Sequence, residues 1–393
     1  MTLAVDPYLT DWLDLVFRWL HVIAAVVWIG TSFYFIALDN HLRPPASPED
    51  DAAGIGGESW EIHGGGFYLV QKYRVAPSTL PESLHWFKWE AYTTWLSGFA
   101  LMVVLYYLHA HASLIDPQVA DLTTAEAVTI SVALLAGAWG VYDVLSRLLE
   151  SREPLLAVCI LGLVTLGAWG VGELFSARAA YLQVGAMLGT IMVANVFFVI
   201  IPAHWELVRA KQAGREPDPA PGLRAKQRSV HNNYLTLPVL FAMLAGHFPF
   251  TYSHSYAWLV LVGLMVIGAW IRHFFNLRHA GRTVWPIPVT AALALAGIAV
   301  AIRPDGASTP VTPGAASRGK QVFLSAGCAS CHTLADAGAT ATVGPNLDAA
   351  SPSRERVVER VTNGAGVMPS FRDRLSEAQI QAVAAYVSAA AGR

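Results

Sequence analysis

Eight apolar runs dominate the first three hundred residues. They fall at about 10–38, 84–111, 125–149, 154–176, 179–206, 231–250, 254–276 and 284–303. Each is near the roughly 20 residues a helix needs to cross a bilayer. Hydrocarbon offers the backbone no hydrogen-bond partner, so runs of this length are read as helices. Composition agrees: 54% of residues are hydrophobic and only 14% charged, where a soluble domain carries about 25% charged. Thirteen Trp and thirteen Tyr suit aromatic belts at membrane interfaces. A formal net charge of −2 gives no reason to expect a nucleic-acid partner. The expected fold is all-α: an eight-helix transmembrane bundle followed by a small second domain. The N-terminus lacks a basic segment, and its first apolar run is too long for a cleaved signal, so it reads as a retained helix.

Counting Lys and Arg between the runs sets the orientation. One alternate set of connections holds Arg43, Lys72 and Arg74, then Arg147 and Arg152, then six cations between 209 and 228, then Arg272, Arg278 and Arg282. The other set holds only Arg178 and Arg303. The cation-rich side is therefore the cytoplasmic one. Both ends of the region then lie outside, which is the periplasm in a bacterial inner membrane.

The connections differ in character. Residues 207–230 are basic and Pro-rich and read as a surface loop. Residues 39–83 contain GGESWEIHGGGFYLVQKYRVAP, where aromatic and β-branched residues flank a Gly triplet. This predicts a short hairpin. After the last run, RPDGASTPVTPGAAS reads as a flexible tether. The expected division is a membrane domain over 1–303, a linker over 304–317 and a tail domain over 318–393.

The tail carries GCASCHTL at 327–334. Cys-x-x-Cys-His is the attachment pattern of a covalent c-type haem. Cys328 and Cys331 would form the thioether bonds and His332 one axial bond. Met368, in GVMPSF, would supply the other; a His/Met pair marks an electron-transfer iron. A Cys pair could instead make a disulfide or half a zinc site, but the adjacent His and the downstream Met argue for haem. The order Cys-x-x-Cys-His, GPNL, Met-Pro and terminal helix resembles class I cytochrome c domains. Cys159 lies in an apolar run and reads as a small buried hydrophobe.

Polar residues inside the runs are functional candidates. His21 lies about eleven residues into the first run, roughly 16 Å deep. It would either bond a neighbouring helix or ligate a b-type haem. A second group gathers at the cytoplasmic ends: Asp39, Asn40, His63, Arg74, His85, Lys88, His204, His231, Asn232, Asn233, His273 and Asn276. His85 and Lys88 are expected one turn apart on the second helix. Any one of these could be a cap or an interfacial side chain, but as a group they could build a polar pocket. Asp143 and Arg147 read as a helix salt bridge. There is no P-loop, dinucleotide Gly motif, GxSxG or zinc-spaced Cys pattern.

The whole-chain pattern resembles a known family. RWLHVIAAVVWIGTSFYFIALDN, the hairpin segment, LHWFKWEAYTTWLSG, SVHNNYLTLPVLFAM and the cytochrome tail together look like the bacterial membrane-bound urate hydroxylases, integral-membrane urate oxidases fused to a cytochrome c. LHVIAAVVWIG with LHWFK is also similar to the membrane protoporphyrinogen oxidases, in which the matching His binds haem b and a matching Lys is functional. Here those positions are His21 and Lys88. The urate resemblance implies oxidation of urate to 5-hydroxyisourate, with electrons leaving through the cytochrome to a terminal oxidase or another respiratory acceptor. His85, Lys88, His231 and Asn233 would then bind urate or move its protons, with Arg74 as cationic partner. The competing expectations are a quinol or porphyrinogen dehydrogenase on the same scaffold, and an anchored electron-transfer cytochrome without its own substrate.

Overall fold

The computed structural model describes residues 7–303, apart from 118, 253 and 255, and residues 315–391, apart from 342, 365–367 and 373. Most of the expected tether, 304–314, lies outside the described residues. The remaining three residues of the expected linker already belong to the first helix of the tail.

Helix α1 spans Pro7–His41. It leads into an antiparallel hairpin of β1, Ile55–His63, and β2, Gly66–Tyr73. His63 pairs with Gly66, so Gly64 and Gly65 alone make the turn. Both have positive φ, 58° and 84°, the conformation a two-residue hairpin turn requires and only Gly adopts without strain. The Gly triplet thus produces the turn expected of it. Lys72 Nζ bonds Asp39 Oδ1 at 2.6 Å and Arg43 pairs with Glu58 through the backbone. These contacts tie the hairpin to the end of α1.

Helix α2, Trp89–Met102, runs on as a π-helical turn over Val103–Tyr107. Then come α3, Thr124–Leu148, and α4, Glu153–Gly172. Helix α5, Ala177–Asn195, passes through a second π-turn, Val196–Ile200, into α6, Ile201–Gln212. Helices α7, Pro219–Leu244, α8, Ala257–His279, and α9, Pro286–Ala301, complete the region. Two expectations need correction. The second helix starts at Trp89, so His85 precedes it and does not share a helical face with Lys88, its N-cap residue. The 207–230 connection is not a loop: α6 continues to Gln212 and α7 begins at Pro219. The physical cause is local. The Asp218 side chain accepts from the Ala220 amide, and Pro at the first helical position loses no bond.

Helix α5 is the axis of the bundle, with two-thirds of its most apolar window buried. Tyr181, Val184 and Leu188 on α5 pack with Leu135, Tyr142, Leu261 and Met265. At Gly185 a Cβ would lie 2.8 Å from Ala242 Cβ, so glycine is what lets α5 and α7 touch, as small residues do between membrane helices. Outer faces are apolar and exposed, including Leu15, Val22 and Val26 on α1, Val158 and Leu166 on α4, and Leu293 and Val300 on α9. Exposed apolar residues on this many helices are consistent with faces that meet lipid. Among the described residues, five helices are long and apolar enough to cross a membrane, and Pro286–Ala301 is a shorter apolar one. The others fall short for visible reasons. Helix α2 is only 14 residues before its π-turn, and α7 carries Arg228, Asn232, Asn233 and Thr236 along its middle.

In the tail, α10, Ala315–Ser325, crosses α12, Glu377–Ala390, over a core containing Phe323, Leu334, Val383 and Tyr386. Helix α11, Arg354–Asn363, closes it with Val357 and Val361. A capping box between Ser376 and Gln379 starts α12, satisfying two amides that helix geometry leaves free.

Candidate functional site

In the tail, Cys328 and Cys331 are free thiols. Burial, with Cys331 beside it, pushes the Cys328 thiol up to about 11. His332 Nδ1 lies 2.9 Å from the Pro345 carbonyl oxygen. A carbonyl can only accept, so Nδ1 carries the proton and Nε2 is left with the lone pair a metal needs. Gly344 lies against the same ring, where a Cβ would come within 2.5 Å of Cε1. Met368 packs on the tail core. The loop before it turns at Gly364, φ 74°, where a Cβ would meet the Met368 carbonyl oxygen at 2.7 Å. Two thiols, an oriented imidazole and a core-facing thioether fit haem c. His21 is oriented in the same way. Its Nδ1 donates to the Thr94 carbonyl at 2.8 Å, and a Cβ on Gly98 would lie 2.8 Å from the imidazole. Its Nε2 is likewise left as the lone-pair nitrogen.

The polar layer at the hairpin end is organised by α7, which presents two faces. On one face Arg228 reaches α3: its Nη2 bonds Asp143 Oδ1 at 2.8 Å, while Arg147 Nε bonds Asp143 Oδ2 at 2.7 Å. The expected Asp143–Arg147 helix pair is present, and the buried Arg228 is its third member. The Tyr142 hydroxyl accepts from Asn195 Nδ2 at 3.0 Å and lies 2.8 Å from His231 Nδ1. His231 Nε2 is 3.3 Å from Glu153 Oε2. With the hydroxyl already accepting, its proton points to His231 Nδ1, and Nε2–H points to Glu153. The result is a directed chain from a buried phenol to a carboxylate that is 56% exposed. Asn195 also donates to Asn232 Oδ1, and Asn232 to the Met192 carbonyl. Asp143, Arg228 and Arg224 line a cleft of about 300 Å³ that opens beside this network.

The second face meets α8 and α1. Asn233 Oδ1 accepts from Arg272 Nε at 2.8 Å and from Asn276 Nδ2 at 3.1 Å. Asn40 Nδ2 donates to the Asn276 carbonyl at 3.4 Å. The Tyr234 hydroxyl and His273 Nδ1 are 2.6 Å apart.

The expected site residues are therefore divided. Asn233, Asn276 and Asn40 do come together. His231 lies two residues from Asn233, about 200° around a helix, and belongs to the other network. Lys88 Nζ sits 5.7 and 5.6 Å from the rings of Trp86 and Trp89, and the His85 ring meets Phe87 at 4.6 Å. Arg74 pairs with Asp51 on the surface of the hairpin. His204 lies beside Trp86. Tyr142, Asn195, Arg228 and Arg272 had not been singled out. Hydropathy counting had placed both arginines in loops, whereas the structure leaves Arg228 3% and Arg272 4% exposed.

Apolar helices with lipid-type outer faces, joined to a c-type cytochrome tail, define a membrane-type redox protein. Comparison with known proteins makes this specific. The family described as "Urate oxidase N-terminal" matches residues 7–303, and "Cytochrome C oxidase, cbb3-type, subunit III" matches 314–387. The chain belongs to the urate oxidase N-terminal family and carries a cytochrome c domain at its C-terminal end. The tail is 42% identical over 92 residues to cytochrome c6 of a Picosynechococcus species, covering 20% of this chain and 77% of that one. It is 42% identical over 76 residues to cytochrome c6 of Leptolyngbya boryana, covering 18% and 88%. Among solved structures, the c-type cytochrome SorU from Sinorhizobium meliloti is 49% identical, covering 20% of this chain and 93% of its own, with a TM-score of 0.20. The cytochrome assignment rests on the family and sequence matches together with the haem-binding residues.

Proposed function

We propose that this chain is a membrane-spanning oxidoreductase that converts urate to 5-hydroxyisourate at its hairpin end. Its electrons would leave through its own cytochrome domain to a respiratory acceptor such as a terminal oxidase. The observation that carries the reading is the union, in one chain, of a urate oxidase family region over 7–303 with a haem c attachment site at Cys328, Cys331 and His332. In this reading the chain has eight spans over 1–303, including α2, α7 and α9. The tether and the 318–393 domain lie on the outer, periplasmic side of an inner membrane. The cation count favours that orientation.

Urate monoanion and water give 5-hydroxyisourate, one proton and two electrons. The residues of the polar layer supply what the conversion needs. Tyr142, His231 and Glu153 form a path that takes a proton from the buried side of α7 to a surface carboxylate. Asn233 and its neighbours offer hydrogen bonds to a polar heterocycle. Lys88 and His85 lie just before the second helix, where they would shape the approach of an anion, and Arg74, paired with Asp51, stands on the hairpin. Bound by Cys328, Cys331, His332 and Met368, haem c supplies a one-electron acceptor. His21, its Nδ1 bound to the Thr94 carbonyl and its ring packed on Gly98, would hold a haem b within the membrane through Nε2.

The test is spectroscopic. Urate added without oxygen to the oxidised protein in detergent is expected to raise the α band of a reduced c-type haem. A pyridine haemochrome assay on the same sample reports whether a b-type haem accompanies it. If urate leaves the c haem oxidised while a quinol reduces it, the reading is wrong.

A further inference from the structure

Arg272 is a buried cation without a counter-ion. It is 4% exposed, and among the described residues no carboxylate pairs with it within 4 Å. The Phe33 ring lies against the guanidinium, 3.9 Å from Cζ. Burying an unpaired charge is costly. Arg228, buried to the same degree one network away, has Asp143 as its partner. The contrast singles Arg272 out.

Its surroundings are half satisfied in a regular way. Arg272 Nε and Asn276 Nδ2 both donate to Asn233 Oδ1. The other half of each group has no partner: Arg272 Nη2, Asn276 Oδ1 and Asn233 Nδ2. Asn233 is fully buried and Asn276 is 9% exposed. Arg272 Nη2 and Asn276 Oδ1 each share a carbon with a donor to Asn233 Oδ1, and Asn233 Nδ2 shares its carbon with that oxygen. Two donors, one of them cationic, and one acceptor are thus left open on three side chains joined through one oxygen. Native proteins seldom leave three buried polar atoms unpaired in one cluster.

We propose that Arg272, Asn233 and Asn276 form the receptor for a planar, singly charged oxopurine, seated between α7, α8 and the end of α1. The inference rests on the urate reading and names where that substrate is held. A carboxylate or phosphate offers acceptors only and leaves Asn276 Oδ1 unpaired. A ureide edge carries a carbonyl oxygen beside an N–H, so it answers the two donors and the acceptor together. The guanidinium supplies the charge that the surface pair Arg74–Asp51 does not bring to this depth.

The experiment uses the full chain in detergent, with urate as the probe. Three quantities are read: urate-dependent reduction of the c haem, the melting temperature with and without urate, and reduction by dithionite as a control. The decisive variant is Asn276→Asp. It puts a negative charge in the amide's own volume beside Arg272, where it offsets the cation and opposes an anion. The expected result is a melting temperature no lower than wild type, loss of the stabilisation by urate, and a KM raised about 30-fold or more, the loss of a charge-assisted hydrogen bond. Arg272→Lys keeps the charge and loses the fork; its KM is expected to rise about tenfold. If urate neither reduces nor stabilises the wild type, the urate reading has failed and the receptor falls with it. If the wild type responds and both variants respond equally well, the receptor alone is refuted, and the orphan atoms are satisfied by water.

Discussion

Gly319 sits where α10 crosses α12 in the cytochrome domain, and replacing it with alanine should loosen that domain measurably. A Cβ there would fall well inside contact distance of the Ala382 carbonyl oxygen and of Tyr386 Cβ. Both belong to the facing helix, and the first is backbone that no rotamer change can move aside. The two helices must separate, opening the packing around Phe323 and Val383. Overpacking of this kind costs about 3 kcal/mol, the upper part of its usual range. Alanine's helix preference over glycine returns about 1 kcal/mol. A net loss of about 2 kcal/mol lowers the melting temperature of a domain this small by about 8–16 °C. The assay is a thermal melt of the full chain followed through the thioether-bound haem. Gly297→Ala on α9, where a Cβ meets nothing within 4 Å, is the control and should leave that melt unchanged. A Gly319→Ala transition within about 3 °C of wild type would refute the packing argument.

Further outcomes follow from the membrane region. Asp143→Asn strips the buried Arg228 of its carboxylate and should destabilise the bundle by about 3–5 kcal/mol, seen as a lower melting temperature by calorimetry. His231→Ala interrupts the Tyr142–Glu153 path and should cut urate turnover by about 100-fold or more without altering the c-haem spectrum; unchanged turnover would remove His231 from the reaction. Gly98→Val drives a side chain into the His21 imidazole and should abolish any b-type haemochrome signal while the c-type signal stays. Met368→Ala should lower the potential of the c haem, since the thioether is the ligand that raises it; an equal potential in redox titration would show that another group holds that position.

Much of this architecture was legible before any coordinates. The apolar runs, the Gly64–Gly65 turn and the haem residues are local signals, written in adjacent positions. The polar layer was legible only as a list. Asn233 stood out because it lies at the start of an apolar run, although α7 begins fourteen residues earlier at Pro219, while Arg272 was counted among loop cations. What makes Arg272 notable is a partner 39 residues away and the lack of a carboxylate, and both depend on helix packing. The separation of His231 from Asn233 could have been read from helical phase. So could the start of α7, since Asp218 followed by Pro219 is a cap and first-turn signal hidden inside a Pro-rich stretch that reads as linker. His85 misled because nothing in the sequence near it marks where α2 begins; the Lys88 side chain makes no capping bond.

Helix α7 also contains Pro238. Proline cannot donate to the Tyr234 carbonyl and crowds it, so the helix bends most easily just beyond its polar segment. Gly268 on α8 leaves room there, its missing Cβ facing Leu237 and Pro238 at 3.2 and 3.4 Å. The stretch from Arg228 to Thr236 is thus a stiff lever hung from a soft joint, with one load on each side. His231 and Asn233 both ride on this one rod. Any weight an anion beside Asn233 placed on the proton at His231 would be returned by that proton in equal measure, because coupling between two binding events is reciprocal.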